Sequence, residues 1–149
     1  VDKIPNNFES TFTKPYHHPC STSSLFQTVA YRNGAYITVD KRVGNTIDFS
    51  TVQFYNQGDT GYDTYEGFFK KQVDGSGTSV QEIINRGVPV RKVVIGKPAT
   101  MADVMNSGYM NPQSFGQALA KWKQKGYDPQ IMFWQYLNDN DGSICRSVL

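Results

Sequence analysis

Three short runs of β-forming residues, each separated from the next by residues with helical patterning, constrain the fold of this chain more than any other feature. The runs cover residues 49–56, 91–96 and 131–136. Helical patterns occur in both stretches between them. Connections of this length let the chain cross over a sheet, so the strands are predicted to be parallel and flanked by helices. The order therefore predicts an α/β fold.

The predicted helix over 112–125 has the most complete set of signals. Asn111 can cap its start, Pro112 fits the first turn, and Gly126 ends it. Its apolar stripe, at the spacing i, i+4, i+7, consists of Phe115, Leu119 and Trp122. These features predict a helix that packs one face against the sheet.

Weaker signals organise the rest of the chain. Helices are predicted over 64–73 and over 79–86, the second with Ser79 as N-cap and Gly87 as its stop. Residues 36–39 (Tyr-Ile-Thr-Val) are predicted as a short β-prone segment. Residues 1–30, which contain three prolines and no sustained period, are predicted to form an irregular N-terminal segment.

Composition excludes several function classes. The chain has 149 residues, of which 38% are hydrophobic and 19% charged, as expected of a globular domain. A net charge of +2 without a long basic run argues against a nucleic-acid partner. No apolar run approaches membrane-spanning length. The aromatic fraction of 13% fits either a sugar-binding surface or an aromatic core.

Cysteine and histidine positions bear on cell compartment and on metal binding. Cys20 and Cys145 fit either one disulfide in a secreted protein or two free thiols. His17 and His18 are adjacent and no second ligand cluster completes a site, so we expect neither a metal nor a cofactor. The first residues, Val-Asp-Lys, suggest a processed chain or a fragment.

Three segments resemble the last strands of the chitinases of glycoside hydrolase family 18. Residues 52–56 (Val-Gln-Phe-Tyr-Asn) resemble the family's sixth strand, 94–99 (Val-Ile-Gly-Lys-Pro-Ala) its seventh, and 132–136 (Met-Phe-Trp-Gln-Tyr) its eighth. The similarity runs from about Gly34 to Gly142. It implies a partial (β/α)8 TIM barrel over residues 31–149, with strands corresponding to about the fifth or sixth through the eighth.

The same resemblance implies a site for chitin or N-acetylglucosamine oligomers. Trp134 would stack under the sugar, and the Tyr55 hydroxyl would position the N-acetyl group that acts as nucleophile in this family. Gln53 and Asn56 would orient that group. Alternation along a strand would put the side chains of Met132 and Tyr136 on the face of Trp134. The implied substrate-binding set is Gln53, Tyr55, Asn56, Met132, Trp134 and Tyr136.

The family's general acid, the Glu that ends Asp-x-x-Asp-x-Asp-x-Glu, has no counterpart in this sequence. The nearest string, Asp59, Asp63 and Glu66, has the wrong spacing and follows the sixth-strand segment, so Glu66 is predicted to be a solvated helix residue. Three interpretations remain open: half of a split or processed enzyme, a truncated sugar-binding product, or a differently folded lectin-like or toxic protein.

We therefore expect this chain to be the chitin-binding part of a family 18 chitinase and to be inactive alone. The alternative is a non-catalytic chitinase-like lectin or a defence or toxic protein. A half-barrel would expose strand edges, which predicts a complementary N-terminal half or a homodimer as partner. Secretion is the expected location.

Overall fold

The computed structural model describes residues 35–57, 61–71, 77–139 and 141–148. The predicted irregular segment 1–30, with Cys20 and both histidines, lies outside these residues. In chain order the main elements are α1 (Ala35–Val43), β1 (Ser50–Gln53), a π-helical turn (Glu66–Lys70), α2 (Val80–Asn85), β2 (Val93–Pro98), α3 (Pro112–Lys123), β3 (Gln130–Trp134) and α4 (Ser143–Val148). Short 3-10 turns span Gly44–Thr46, Val90–Lys92, Met101–Asp103 and Tyr136–Asn138.

The three strands form one parallel sheet in the order β1-β2-β3, which confirms the predicted α/β architecture. The central strand β2 is buried along its whole length. Such burial on both faces explains why its sequence is a continuous apolar run rather than an alternating one. All three strands run in the same direction, so their carboxyl ends meet at one edge of the sheet.

The hydrophobic core lies between one face of the sheet and the helices. The in-register residues Val52, Ile95 and Ile131 lie on this face. The helical layer packs around Trp122, whose ring stacks on Tyr127 at 4.5 Å and on Phe69 at 4.9 Å between centroids. This aromatic cluster fixes α3 and the π-helical turn against the sheet, and it accounts for part of the aromatic content by packing alone.

The predicted boundaries of α2 and α3 are close to those observed, whereas the helix predicted over 64–73 is a π-helical turn over Glu66–Lys70 within the described residues. Ser79 caps α2 in a reciprocal capping box with Glu82. The Asn111 side chain accepts a hydrogen bond of 2.8 Å from the Ser114 amide at the start of α3. Gly87 and Gly126 follow their helices with positive φ, as expected of residues that terminate helices.

The β-prone interpretation of residues 36–39 is wrong, because these residues lie within α1. Ile37 is buried in the core while Val39, two positions on, is exposed. A strand would have put both on one face, whereas a helix separates them by about 200°. The helical conformation buries Ile37 in the core and leaves Val39 at the surface.

Helix α4 was not predicted. The Asp139 carboxylate accepts hydrogen bonds from the Ile144 and Cys145 amides, at 2.8 and 3.2 Å. These bonds and the Cys145 thiol hold the pKa of the Asp139 carboxyl below its usual range. The hydrogen bond between the Cys145 thiol and the Asp139 carboxylate raises the pKa of that thiol, and partial desolvation adds to the rise. Cys145 as a whole is an exposed residue. Within the described residues, the helices are too short or too polar to cross a bilayer.

Candidate functional site

The carboxyl edge of the sheet gathers the residues that the sequence singled out. Gln53, Gly96 and Met132 are neighbours in register across the three strands, and two residues further along, Pro98 pairs with Trp134. These residues lie on the face of the sheet opposite the aromatic core. The carboxyl ends of parallel strands are the usual position of a ligand site in α/β proteins.

Gly96 sets how closely side chains approach the middle of this face. A Cβ atom at Gly96 would lie 2.9 Å from the Val52 carbonyl oxygen and 3.2 Å from the Met132 terminal methyl. Any larger residue would displace the Met132 side chain. The absence of a side chain on the central strand therefore lets Met132 lie across it as the floor of the candidate site.

Tyr55 lies just beyond the end of β1 and is buried. Burial, with a smaller contribution from the Asp103 carboxylate, raises the pKa of Tyr55 to about 12. Its phenol therefore stays protonated and can donate a hydrogen bond over the whole physiological pH range. The Gln53 side-chain amide donates to the Tyr55 carbonyl at 3.0 Å and braces the backbone at this position.

Asn56 has a positive φ of 55° and uses its side-chain amide to hold the loop that follows β2. Its Oδ1 atom accepts hydrogen bonds from the Met105 amide at 2.7 Å and the Asn106 amide at 3.3 Å. Its Nδ2 atom donates to the Asp103 carbonyl at 3.3 Å. These contacts give Asn56 a loop-positioning role that the sequence did not suggest, and its predicted contact with an N-acetyl group stays a prediction.

Trp134 and Tyr136 present the exposed aromatic surface of this edge. The exposed fractions of the two residues are 52% and 75%. Strand β3 ends at Trp134, and Tyr136 begins a 3-10 turn, so the alternation rule that grouped them on one strand face does not extend to Tyr136. The Trp134 carbonyl accepts a 2.6 Å hydrogen bond from Ala99, which ties the ends of β2 and β3 together.

Lys97 is a buried charged residue that sequence reasoning missed. It lies on the core side of β2 with 1% of its surface exposed, and its ammonium group donates to the carbonyls of Phe54, Tyr62 and Gly108. Burial lowers its pKa to about 7, against a raising effect from Asp63. The only signal in the sequence was a lysine inside an apolar strand.

Glu66 is the last residue of the acidic string that is nearest to the motif of the general acid. Glu66 is exposed on the π-helical turn and forms a 2.7 Å ion pair with Lys70, which confirms the prediction of a solvated helix residue. Asp59 lies outside the described residues. Within the described part of the chain, no three His, Cys, Asp or Glu side chains come together in a way that could hold a metal ion.

A depression lies on the core side of β3, next to α4, with a volume of about 460 Å³. Its lining includes the apolar side chains of Ile131 and Phe133 together with Gln135, Asp139 and Cys145. Ile131 and Phe133 lie on the face opposite Trp134, but Tyr136 also lines this depression, so it adjoins the carboxyl-edge site at Tyr136.

Comparison with known proteins finds similarity at the level of solved structures. No family model matches the sequence, and no curated protein matches it. Among solved structures, the chain is similar to a GH18 chitinase from Pseudoalteromonas aurantia, with a TM-score of 0.59 and 26% sequence identity. The match covers 83% of this chain but 42% of that chitinase. The chain therefore has a GH18-like fold and spans less than half the length of the relative.

Proposed function

We propose that this chain binds chitin or N-acetylglucosamine oligomers at the carboxyl edge of its sheet and does not hydrolyse them alone. The observation that carries the proposal is the half-exposed Trp134 ring at the end of β3, on a chain with a chitinase-like fold. An indole face in this position can stack on the axial hydrogens of a pyranose ring. The protonated Tyr55 phenol would supply a hydrogen-bond donor nearby.

The binding proposal is tested by calorimetry with a chitin oligomer on the wild type and on two matched variants. Trp134→Ala removes the stacking surface, and we expect it to weaken binding more than any other single change. Phe49→Ala is the control, because Phe49 is similarly exposed at 46% but precedes β1 at the opposite edge. Equal affinities for wild type and Trp134→Ala would reject the site.

The proposed lack of turnover rests on the missing general acid. Losing a positioned acid typically lowers the rate by a factor of about 10² to 10⁴. We therefore expect the purified chain to release no measurable N-acetylglucosamine dimers from chitin oligomers that it binds. Rapid release would contradict the proposal, whereas binding without release would also fit a chitinase-like lectin. Adding a chitinase segment that carries the acid motif separates these alternatives, since only a half-enzyme would gain activity.

We also propose that further polypeptide, either a complementary N-terminal half or a second copy, covers the open sides of the sheet. Within the described residues, β1 and β3 each pair on one side only. Unpaired strand edges are templates for pairing with another chain. Light scattering across a dilution series would detect self-association, and a monomer at every concentration would reject the homodimer. Secretion of the chain likewise remains a proposal.

A further inference from the structure

Asp103 ends the 3-10 turn that follows β2, and its two carboxylate oxygens have different partners. One oxygen, Oδ2, accepts hydrogen bonds from the Thr100 amide at 3.0 Å and the Thr100 hydroxyl at 2.9 Å. The other, Oδ1, accepts a 2.6 Å hydrogen bond from the Asn138 side chain, which lies in the turn that follows β3. A single carboxylate therefore fixes its own turn and links it to the next one.

The backbone of Asp103 completes the connection to the third strand end. Its carbonyl accepts the hydrogen bond from the Asn56 side chain, just beyond β1. Asp103 thus contacts segments that follow each of the three strands. Its side chain contacts the turn Tyr136–Asn138, which begins two residues after Trp134.

The segments that Asp103 joins carry exposed apolar side chains that have no core of their own to hold them in place. These side chains are Met101, Met105, Trp134, Tyr136 and Leu137. Freely moving loops would lose conformational entropy on binding a ligand, and that loss weakens affinity. A charge-assisted hydrogen bond between two loops reduces the loss because it fixes their geometry before the ligand arrives.

We propose that Asp103 is a positioning residue of the sugar site: through its bond to Asn138 it holds the Trp134–Tyr136 segment in its binding geometry. This inference rests on the proposed function, because it assumes that Trp134 and Tyr136 contact the oligomer. It assigns Asp103 no contact with the sugar.

Three variants test the proposal. Asp103→Ala removes the carboxylate and Asn138→Ala removes its partner on the exposed turn. Gln130→Ala is the matched control, because it deletes a 3.4 Å hydrogen bond to the Arg91 carbonyl at the opposite edge of the sheet, where β2 and β3 begin. Affinity for a chitin oligomer is measured by calorimetry. Acrylamide quenching of tryptophan fluorescence without ligand is measured in parallel, since Trp134 is exposed and Trp122 is buried.

We expect Asp103→Ala and Asn138→Ala each to weaken binding about tenfold, because the released turn must be ordered again when the oligomer binds. The worth of one hydrogen bond to a charged group sets the upper limit of that loss. The double variant should be no weaker than the worse single one, because both remove the same bond. Quenching of Trp134 should change in both variants before any sugar is added. Gln130→Ala should leave affinity and quenching within twofold of wild type.

The outcomes separate this inference from the proposed function. A wild type that binds no oligomer overturns the proposed function and the inference with it. A wild type that binds, with Asp103→Ala and Asn138→Ala both within twofold of it and with unchanged quenching, overturns only the positioning role. If Asp103→Ala does not fold, the exposed Asn138→Ala variant decides, because its side chain can be removed without opening the core.

Discussion

Gly108→Ala tests how tightly the backbone is packed beneath Tyr55. Gly108 has a φ of +94°, a conformation that residues with a Cβ atom rarely adopt. A Cβ atom there would lie 2.5 Å from the Tyr55 Cα atom and 2.6 Å from the Phe54 carbonyl oxygen. Ordinary carbon contacts are about 3.5–4.0 Å, so one of the two backbones must move by about 1 Å.

The expected cost has two parts. The positive φ costs about 1–2 kcal/mol for a residue with a Cβ atom, and the overlap adds about 1–3 kcal/mol as in other overpacked sites. Gly126→Ala is the matched control, since Gly126 has a φ of +84° but no atom within 4 Å of the added methyl group. It should therefore lose only the first part.

The two variants are compared by urea denaturation and by calorimetry with a chitin oligomer. We expect Gly108→Ala to lose about 2–5 kcal/mol of unfolding free energy and Gly126→Ala about 1–2 kcal/mol. Only Gly108→Ala should weaken oligomer binding, because only there is the backbone of Tyr55 displaced. Equal losses of stability in the two variants, or unchanged binding in a folded Gly108→Ala, would refute the reasoning.

Two further substitutions test individual groups of the site and its support. Tyr55→Phe should weaken oligomer binding by about 1 kcal/mol, the value of one hydrogen bond, as measured by calorimetry; an unchanged affinity would remove the phenol from the site. For Lys97, the pKa is about 7 in the folded state against an ordinary 10.5. Between these pH values the unfolded chain holds a proton that the folded chain lacks, so stability should rise with pH over that window. Lys97→Met should abolish that rise in urea midpoints measured from pH 7 to 10, and an equal rise in the variant would show that another group causes it.

The sequence was sufficient for the parts of the fold that are set by local signals. The parallel order of the sheet followed from the lengths of the connections, and α2 and α3 followed from Ser79, Asn111 and Gly126. The resemblance of segments 52–56, 94–99 and 132–136 to the ends of chitinase strands agrees with the GH18-like fold. In each case residues close together in sequence determine the structure.

The missed features depend on contacts between residues that are distant in sequence or on very short elements. Segment 36–39 has β-forming residues, yet the core accepts only Ile37, and the segment is helical. Helix α4 has six residues and depends on the Asp139 carboxylate, so no periodicity could indicate it. The roles of Asp103 and Lys97 arise from partners on other loops, which appear only once the sheet brings its strand ends together.

The most direct test of the account is an NMR titration of the two tryptophan indole N–H signals with a chitin oligomer. Trp134 is half exposed at the candidate site, whereas Trp122 is buried in the aromatic core. Trp134→Phe assigns the two signals. The account predicts that the Trp134 signal shifts saturably during the titration while the Trp122 signal stays in place. A Trp134 signal that does not move at millimolar oligomer would contradict it.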